Sequence, residues 1–160
     1  MNLDELKLLA QKAEPSSKAF LKKNKKKLEK MDSIVLGLHN EVVSKTDCLN
    51  CANCCRTLGP LITNKDIDNI AKALRIKPTD VISNYLKIDE DSDFVFNNMP
   101  CPFLMEDNYC SIYEHRPKAC REYPHTDRTK FYQIFNLTIK NTYTCPAAYE
   151  VLEKLKTVLK

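Results

Sequence analysis

A chain of 160 residues with 43% hydrophobic side chains is enough for one domain, or one domain with an appendage. With no Trp and only two Gly it has few left-handed turns, which excludes a hairpin-rich design and favours helices and irregular loops. The formal net charge is only +4, and its whole excess lies in residues 1–45, which hold ten Lys against six Asp and Glu.

Leu3, Leu6, Leu9 and Ala13 recur at helical spacing, and Pro15 is expected to end this first helix. Ser16 or Ser17 would then cap a second one. Its apolar stripe is Leu21, Leu28, Met31, Val35, Leu38 and Val42, running to Val43 and interrupted at Asn24. The stripe covers only about three heptads, so it reads as a helix packed on its own domain, not an extended coiled coil. "KKNKKKLEK" places five lysines between Lys22 and Lys27. An apolar face on the same helix, no interleaved aromatics and no nucleic-acid motif make them a solvated helix face and argue against a nucleic-acid partner. Residues 1–45 are thus expected to be an N-terminal helical arm packing on a cysteine-cluster domain of residues 46–160.

In "TNKDIDNIAKALRI", Thr63 caps a helix with Asp66 three residues on, and Ile67, Ile70, Ala71 and Leu74 share one face. "KPTDVISNYLKI" reads as another short helix with Pro78 in its first turn. "EDSD" is a polar break and "FVF" a short strand. From Met99 to Pro124 the chain is rich in Pro, Cys and Tyr, which predicts loops with short turns. "TKFYQIFNLTIKN" permits a strand, but Phe131, Phe135 and Ile139 favour a helix. "CPAAYEVLEKLKTVLK" is a helix with Pro146 at its start.

The charged, amphipathic start lacks the apolar stretch of a signal peptide, and no run approaches the ~18 apolar residues of a membrane span. The expected location is cytoplasmic, with no membrane partner. A reducing cytosol rarely keeps structural disulfides, so eight cysteines point to metal or redox chemistry.

Those cysteines are spaced C48-x2-C51-x2-C54-C55-x45-C101-x8-C110-x9-C120-x24-C145. A two-residue gap lets two thiolates converge on one centre from a tight loop, and two such gaps in succession give three ligands. A distant Cys-Pro that closes the cage is the iron–sulfur arrangement, and both Cys101-Pro102 and Cys145-Pro146 have that form. No second C-x2-C supplies a zinc ribbon, and no βαβ pattern supports a thioredoxin-like motif. Adjacent Cys54 and Cys55 point apart, so they serve different metals or different irons, or one of them packs. His125, placed after Pro124 in an expected extended approach, is the further candidate ligand or proton donor. For His115, Glu106, Asp107 and Glu114, solvation or a capping hydrogen bond is the simpler reading. Arg116 and Arg121 flank Cys120 and could donate to thiolate or cluster sulfur, or pair with Glu114 and Glu122.

"CLNCANCC", "CPFL", "NYCSIYEHRPKACREYPHT" and "CPAA" together resemble the YkgJ-type cysteine-cluster family (CxxCxxCC) of zinc- or iron-chelating domains, over about Cys48 to Cys145. The resemblance implies metal or cluster binding by Cys48, Cys51, Cys54, Cys55, Cys101, Cys110, Cys120 and Cys145. Flagellin lysine methylases carry a similar cysteine cluster linked to an iron–sulfur centre, which tilts the metal towards iron. The expectation is a mainly α, small, irregular metal-centred domain with cysteine-rich loops. Its centre is an iron–sulfur cluster, [4Fe–4S] favoured, with a redox role and a protein redox partner. The alternatives are a zinc-binding structural or metal-handling module, and a small cluster-dependent enzyme such as a methyl transferase.

Overall fold

A computed structural model describes residues 2–159, and the chain is mainly α-helical. Helices α1 (Leu3–Leu28) and α2 (Asp32–Val43) are followed by two single turns, α3 (Cys48–Cys51) and α4 (Asn53–Thr57). Next come α5 (Asn64–Leu74), α6 (Pro78–Tyr85) and the strands β1 (Leu86–Ile88) and β2 (Phe94–Phe96). A 3₁₀ turn at Tyr113–His115 precedes α7 (Lys118–Glu122), and another at Phe131–Ile134 leads into α8 (Phe135–Asn141) and α9 (Pro146–Val158). The chain divides into two compact units: one runs to Asp47 and resumes at Pro124, and the other is Cys48–Tyr123.

The first unit packs α1, α2, α8 and α9 around Leu28, Met31, Val35, Val42, Phe131, Phe135, Ile139, Val151, Leu152 and Leu155. The apolar stripe read from the sequence therefore lies where it was expected, but the helix boundaries differ. Pro15 sits inside α1 and does not end it, and Ser16 and Ser17 cap nothing. Their hydroxyls turn back to donate to the Ala13 carbonyl, at 2.8 and 2.9 Å. Leu6 and Ala10 before the proline and Ser17, Asn24 and Leu28 after it are all buried. That continuous buried face outweighs the roughly 3 kcal/mol that an interior proline costs. The break falls instead between Leu28 and Asp32, after a last turn of Lys25, Lys26 and Lys27 whose charges suit the helix C-terminus. Asp32 then accepts from the Lys130 and Phe131 N–H groups, at 2.6 and 3.1 Å, tying the start of α2 to the 3₁₀ turn before α8. Lys22, Lys23, Lys25, Lys26 and Lys27 are exposed, while Asn24 among them is buried and donates to the Phe20 carbonyl.

The second unit is smaller in its elements. Thr63 and Asp66 form the capping box of α5, whose Ile67, Ile70 and Ala71 pack with Ile62, Val81, Leu86, Phe96, Phe103 and Ile112. Helix α6 begins at Pro78 and stops at Tyr85, so "LKI" is strand and not the helix end the sequence suggested. The "FVF" strand explains the difference: Leu86 pairs with Phe96 and Ile88 with Phe94, antiparallel, and a helical continuation would forfeit that ladder. The Ile62 N–H extends the pairing by donating to the Phe94 carbonyl at 2.8 Å. Among the described residues no helix is long and apolar enough to cross a membrane.

Candidate metal centre

Seven of the cysteines lie in the Cys48–Tyr123 unit, and Cys145 lies in the other. The "CLNCANCC" stretch forms helical turns where the sequence suggested a loop. Cys48 and Cys51 close α3 at the i, i+3 spacing that puts side chains on one face. Ala52 then takes a left-handed conformation, φ 43°, and restarts the chain as α4 with Cys54 and Cys55 adjacent within it. The bend is buried, since Ala52 is 5% exposed.

Backbone hydrogen bonds bring the later cysteines to this turn. The Cys101 N–H donates to the Cys55 carbonyl at 2.8 Å. The Leu104 N–H then bonds to the Cys101 carbonyl, and Leu104 bridges Cys110 across a tight turn. Cys101 and Cys110 both pack against the second unit's core. Cys120 sits in α7, its N–H donating to the Pro117 carbonyl at 3.0 Å.

Electrostatics join these four into one set. A hydrogen bond from Cys54 draws the Cys55 thiol down to about 7, against burial and with help from the Arg56 charge. Burial pushes Cys101 up to about 11, and the charges of Cys55 and Cys110 push the same way. Burial also raises Cys110, with a contribution from Cys55. Cys120 is pushed up to about 12 by burial first and then by Cys101, Cys55 and Cys110. Thiols that repel one another when ionised form the donor set a thiophilic cation satisfies, because the cation replaces repulsion with attraction. No group of three or more His, Cys, Asp or Glu among the described residues is drawn together closely enough to hold one ion as it stands.

Two arginines border the set. Arg56 donates to the Cys51 carbonyl at 3.0 Å and to the Asn108 side-chain oxygen. Asn108 in turn donates to the Leu49 carbonyl at 2.7 Å. This clamp joins the Cys48–Cys51 turn to the Met105–Tyr109 turn, where Asn108 holds φ 66°, a conformation asparagine tolerates. Arg116 lies over the Tyr113 ring, 3.7 Å from its centroid, and its charge lowers Cys110 and Cys120 against their burial. Arg121 donates to the Arg116 carbonyl.

The remaining candidates have local roles. Asp107 accepts from the Tyr109 N–H at 3.0 Å, as a turn cap. Glu106, Glu114 and His115 are exposed, His115 within the 3₁₀ turn. His125 lies in the first unit with φ 66°, so the extended approach expected of it is absent. The reason is directional: a proline restricts the residue before it, here Tyr123, and leaves the one after it free. Cys145 is the residue before α9 and packs against the first unit's core. Asn108 and Arg56 were not visible as functional residues. The only signal was a turn-forming Asp-Asn pair between two cysteines.

A family model described as "CxxCxxCC: Putative zinc- or iron-chelating domain" matches residues 47–146. No curated protein and no solved structure matches the chain.

Proposed function

Because the chain belongs to the CxxCxxCC zinc- or iron-chelating family, we propose that its thiolates hold an iron centre, an iron–sulfur cluster of the [4Fe–4S] type, in a cytoplasmic protein with a redox role. The observation that carries this reading is that the Cys101 N–H bonds to the Cys55 carbonyl and Leu104 bridges Cys110, which gathers these cysteines, with Cys120, in one compact unit. We assign these four as one ligand group, with Cys101-Pro102 supplying the Cys-Pro pair that iron–sulfur sites favour. Cys48, Cys51 and Cys54 are donors on the neighbouring turns, and Cys54 supports the Cys55 thiolate by its hydrogen bond. The assignment of Cys145, and of His125, rests on the sequence pattern alone. A cluster held there would supply one-electron transfer to a protein partner. The chain's own part is to exclude water by half-burying the sulfurs, and to set charge around them with Arg56 and Arg116.

The zinc reading is favoured by one feature: four cysteines with no histidine among them suit a closed structural zinc site as well. A methyl transferase would need a substrate pocket beside the thiols. The open depression of about 380 Å³ between α5 and the start of α6 is lined by Asp68, Ala71, Lys72, Arg75, Ile76 and Pro78, and by no cysteine.

The test is iron, zinc and sulfide analysis with visible spectroscopy on anaerobically purified protein. A brown protein absorbing broadly near about 400 nm, with iron and sulfide in equal amounts, is the expected result. Colourless protein with stoichiometric zinc and no iron after anaerobic reconstitution overturns the cluster and leaves the zinc module.

A further inference from the structure

Asp66 does more than its capping box requires. Its Oδ2 accepts from the Thr63 N–H at 2.9 Å and the Thr63 hydroxyl at 2.6 Å, which completes the cap of α5. Its Oδ1 reaches out of that helix and accepts from the Lys118 N–H at 3.0 Å, 52 residues further along the chain. The carboxyl group is only 2% exposed. Lys118 is the first residue of α7, the helix that carries Cys120.

Helix α7 is short. It is five residues long, with Ala119 and Cys120 half-buried and its other residues exposed, so helical cooperativity contributes little to its position. Its ion pair, Lys118 with Glu122, is exposed and lies within the helix itself. Pro117 just before it is buried, and the Asp66–Lys118 hydrogen bond ties its first residue to α5. Asp66 sits on the helix whose Ile67, Ile70 and Ala71 build that core.

We propose that Asp66 is a positioning residue that holds Cys120 in the thiol set, by docking the first amide of α7 onto the capping box of α5. This rests on the metal-binding reading above, in which Cys120 is a ligand. It gives "TNKD" a second role: the acid that starts α5 also fixes a ligand far downstream.

The experiment uses the metal-free full chain and the zinc-loaded full chain. Lys118→Pro removes the donated N–H and leaves α5 untouched; proline suits the first helical position, and Pro117 at φ −53°, ψ 150° suits a following proline. Asp66→Ala removes the acceptor. Thr63→Ala weakens the cap but leaves the Oδ1 bond. Peptide-resolved alkylation by iodoacetamide reads the freedom of Cys120, and competition with a chromophoric chelator reads zinc affinity. We expect Lys118→Pro and Asp66→Ala to speed Cys120 alkylation by about tenfold or more and to weaken zinc binding by about 10–100-fold. Thr63→Ala lowers the melting temperature but leaves Cys120 within about twofold of wild type. If Thr63→Ala frees Cys120 as much as the others, or if Lys118→Pro frees it no more than Thr63→Ala, Asp66 is a helix cap only. Should Asp66→Ala not fold, Lys118→Pro and Thr63→Ala decide. If the wild-type chain takes up neither zinc nor iron, the metal reading fails, and alkylation still reports the hold of Asp66 on Cys120.

Discussion

The two units differ in what their interiors are made of. The unit of α1, α2, α8 and α9 buries Leu, Val, Ile and Phe, with Phe131, Phe135, Val151 and Leu155 fully enclosed. The Cys48–Tyr123 unit has its own apolar cluster, but Cys101 and Cys110 pack against it, and α7, which carries Cys120, is tied to α5 by the Lys118–Asp66 hydrogen bond. Apolar area removed from water stabilises the first unit whatever is bound. In the second, part of the interior is thiols that burial makes resist ionisation, and a thiophilic metal bound there would favour their ionised forms. The contrast teaches that one half of this chain is held by a conventional helical core, whereas the other combines a smaller apolar cluster with half-buried thiols.

The strongest way to break that contrast is to remove the metal. Structural zinc contributes about 10–16 kcal/mol of apparent binding energy in small thiolate domains. Stripping metal should speed hydrogen exchange in the cysteine-bearing turns, residues 48–57 and 101–122, by about tenfold or more, while the apolar cluster around α5 and the amides of α1, α2, α8 and α9 stay protected. Equal loss of protection in both units would abolish the distinction. The converse experiment is Phe135→Ala. Phe135 is fully buried, packed edge-to-face on Phe131 with ring centroids 5.7 Å apart and stacked on Phe20. Its truncation should cost about 3–5 kcal/mol in urea unfolding of the first unit, with metal content per chain unchanged.

A smaller effect sharpens the contrast within the second unit. The Asn108 side chain joins the Leu49 carbonyl to Arg56, and Arg56 holds the Cys51 carbonyl. Asn108→Ala should release the Cys48–Cys51 turn and lower metal affinity by about 10–100-fold, as loss of an outer partner of the ligands commonly does. Chelator competition measures it, and an unchanged affinity would show that the turn holds itself.

How far each unit could be read from the sequence follows the same divide. The first unit's helices announce themselves because burial of one face repeats every three or four residues, as in Leu28, Met31, Val35 and Val42. What escaped was the boundary: Pro15 is a local signal that a continuous buried face overrides, and the break before Asp32 is marked by no Gly or Pro. In the second unit the capping box at Thr63 and Asp66 was legible because both partners are local. The Oδ1 bond to Lys118 was not, because nothing in either segment specifies a partner 52 residues away. The eight cysteines and their spacing pointed to metal at once, yet their grouping depends on tertiary links such as Cys101 to Cys55. Three-residue β1 was lost for the same reason, since only its pairing with β2 distinguishes it from a helix end.

The finest prediction concerns the order in which the thiols of the metal-free protein react. Cys55, drawn down to about 7, is mostly thiolate at pH 7.5, whereas Cys101, pushed up to about 11, is almost wholly protonated. The thiolate fraction thus favours Cys55 by more than a thousandfold, on the order of 10³. A more basic thiolate is intrinsically the better nucleophile, with a Brønsted slope of about 0.4–0.5, which returns roughly two of those powers of ten. Iodoacetamide should therefore modify Cys55 ahead of Cys101 by on the order of tens-fold, and ahead of Cys120 by at least as much. The sign carries through to stability. Cys55, whose folded value is depressed, contributes stability that is present above its ordinary value of 9.0 and lost as pH falls through about 7. Cys101 and Cys120, whose values are raised, act oppositely and weaken the fold as pH climbs from 9.0 towards about 11 and 12. Metal binding replaces all three protons, so the metal-loaded protein should show neither the reactivity order nor these pH dependences. Persistence of the same order after loading would mean that Cys55 is not a ligand.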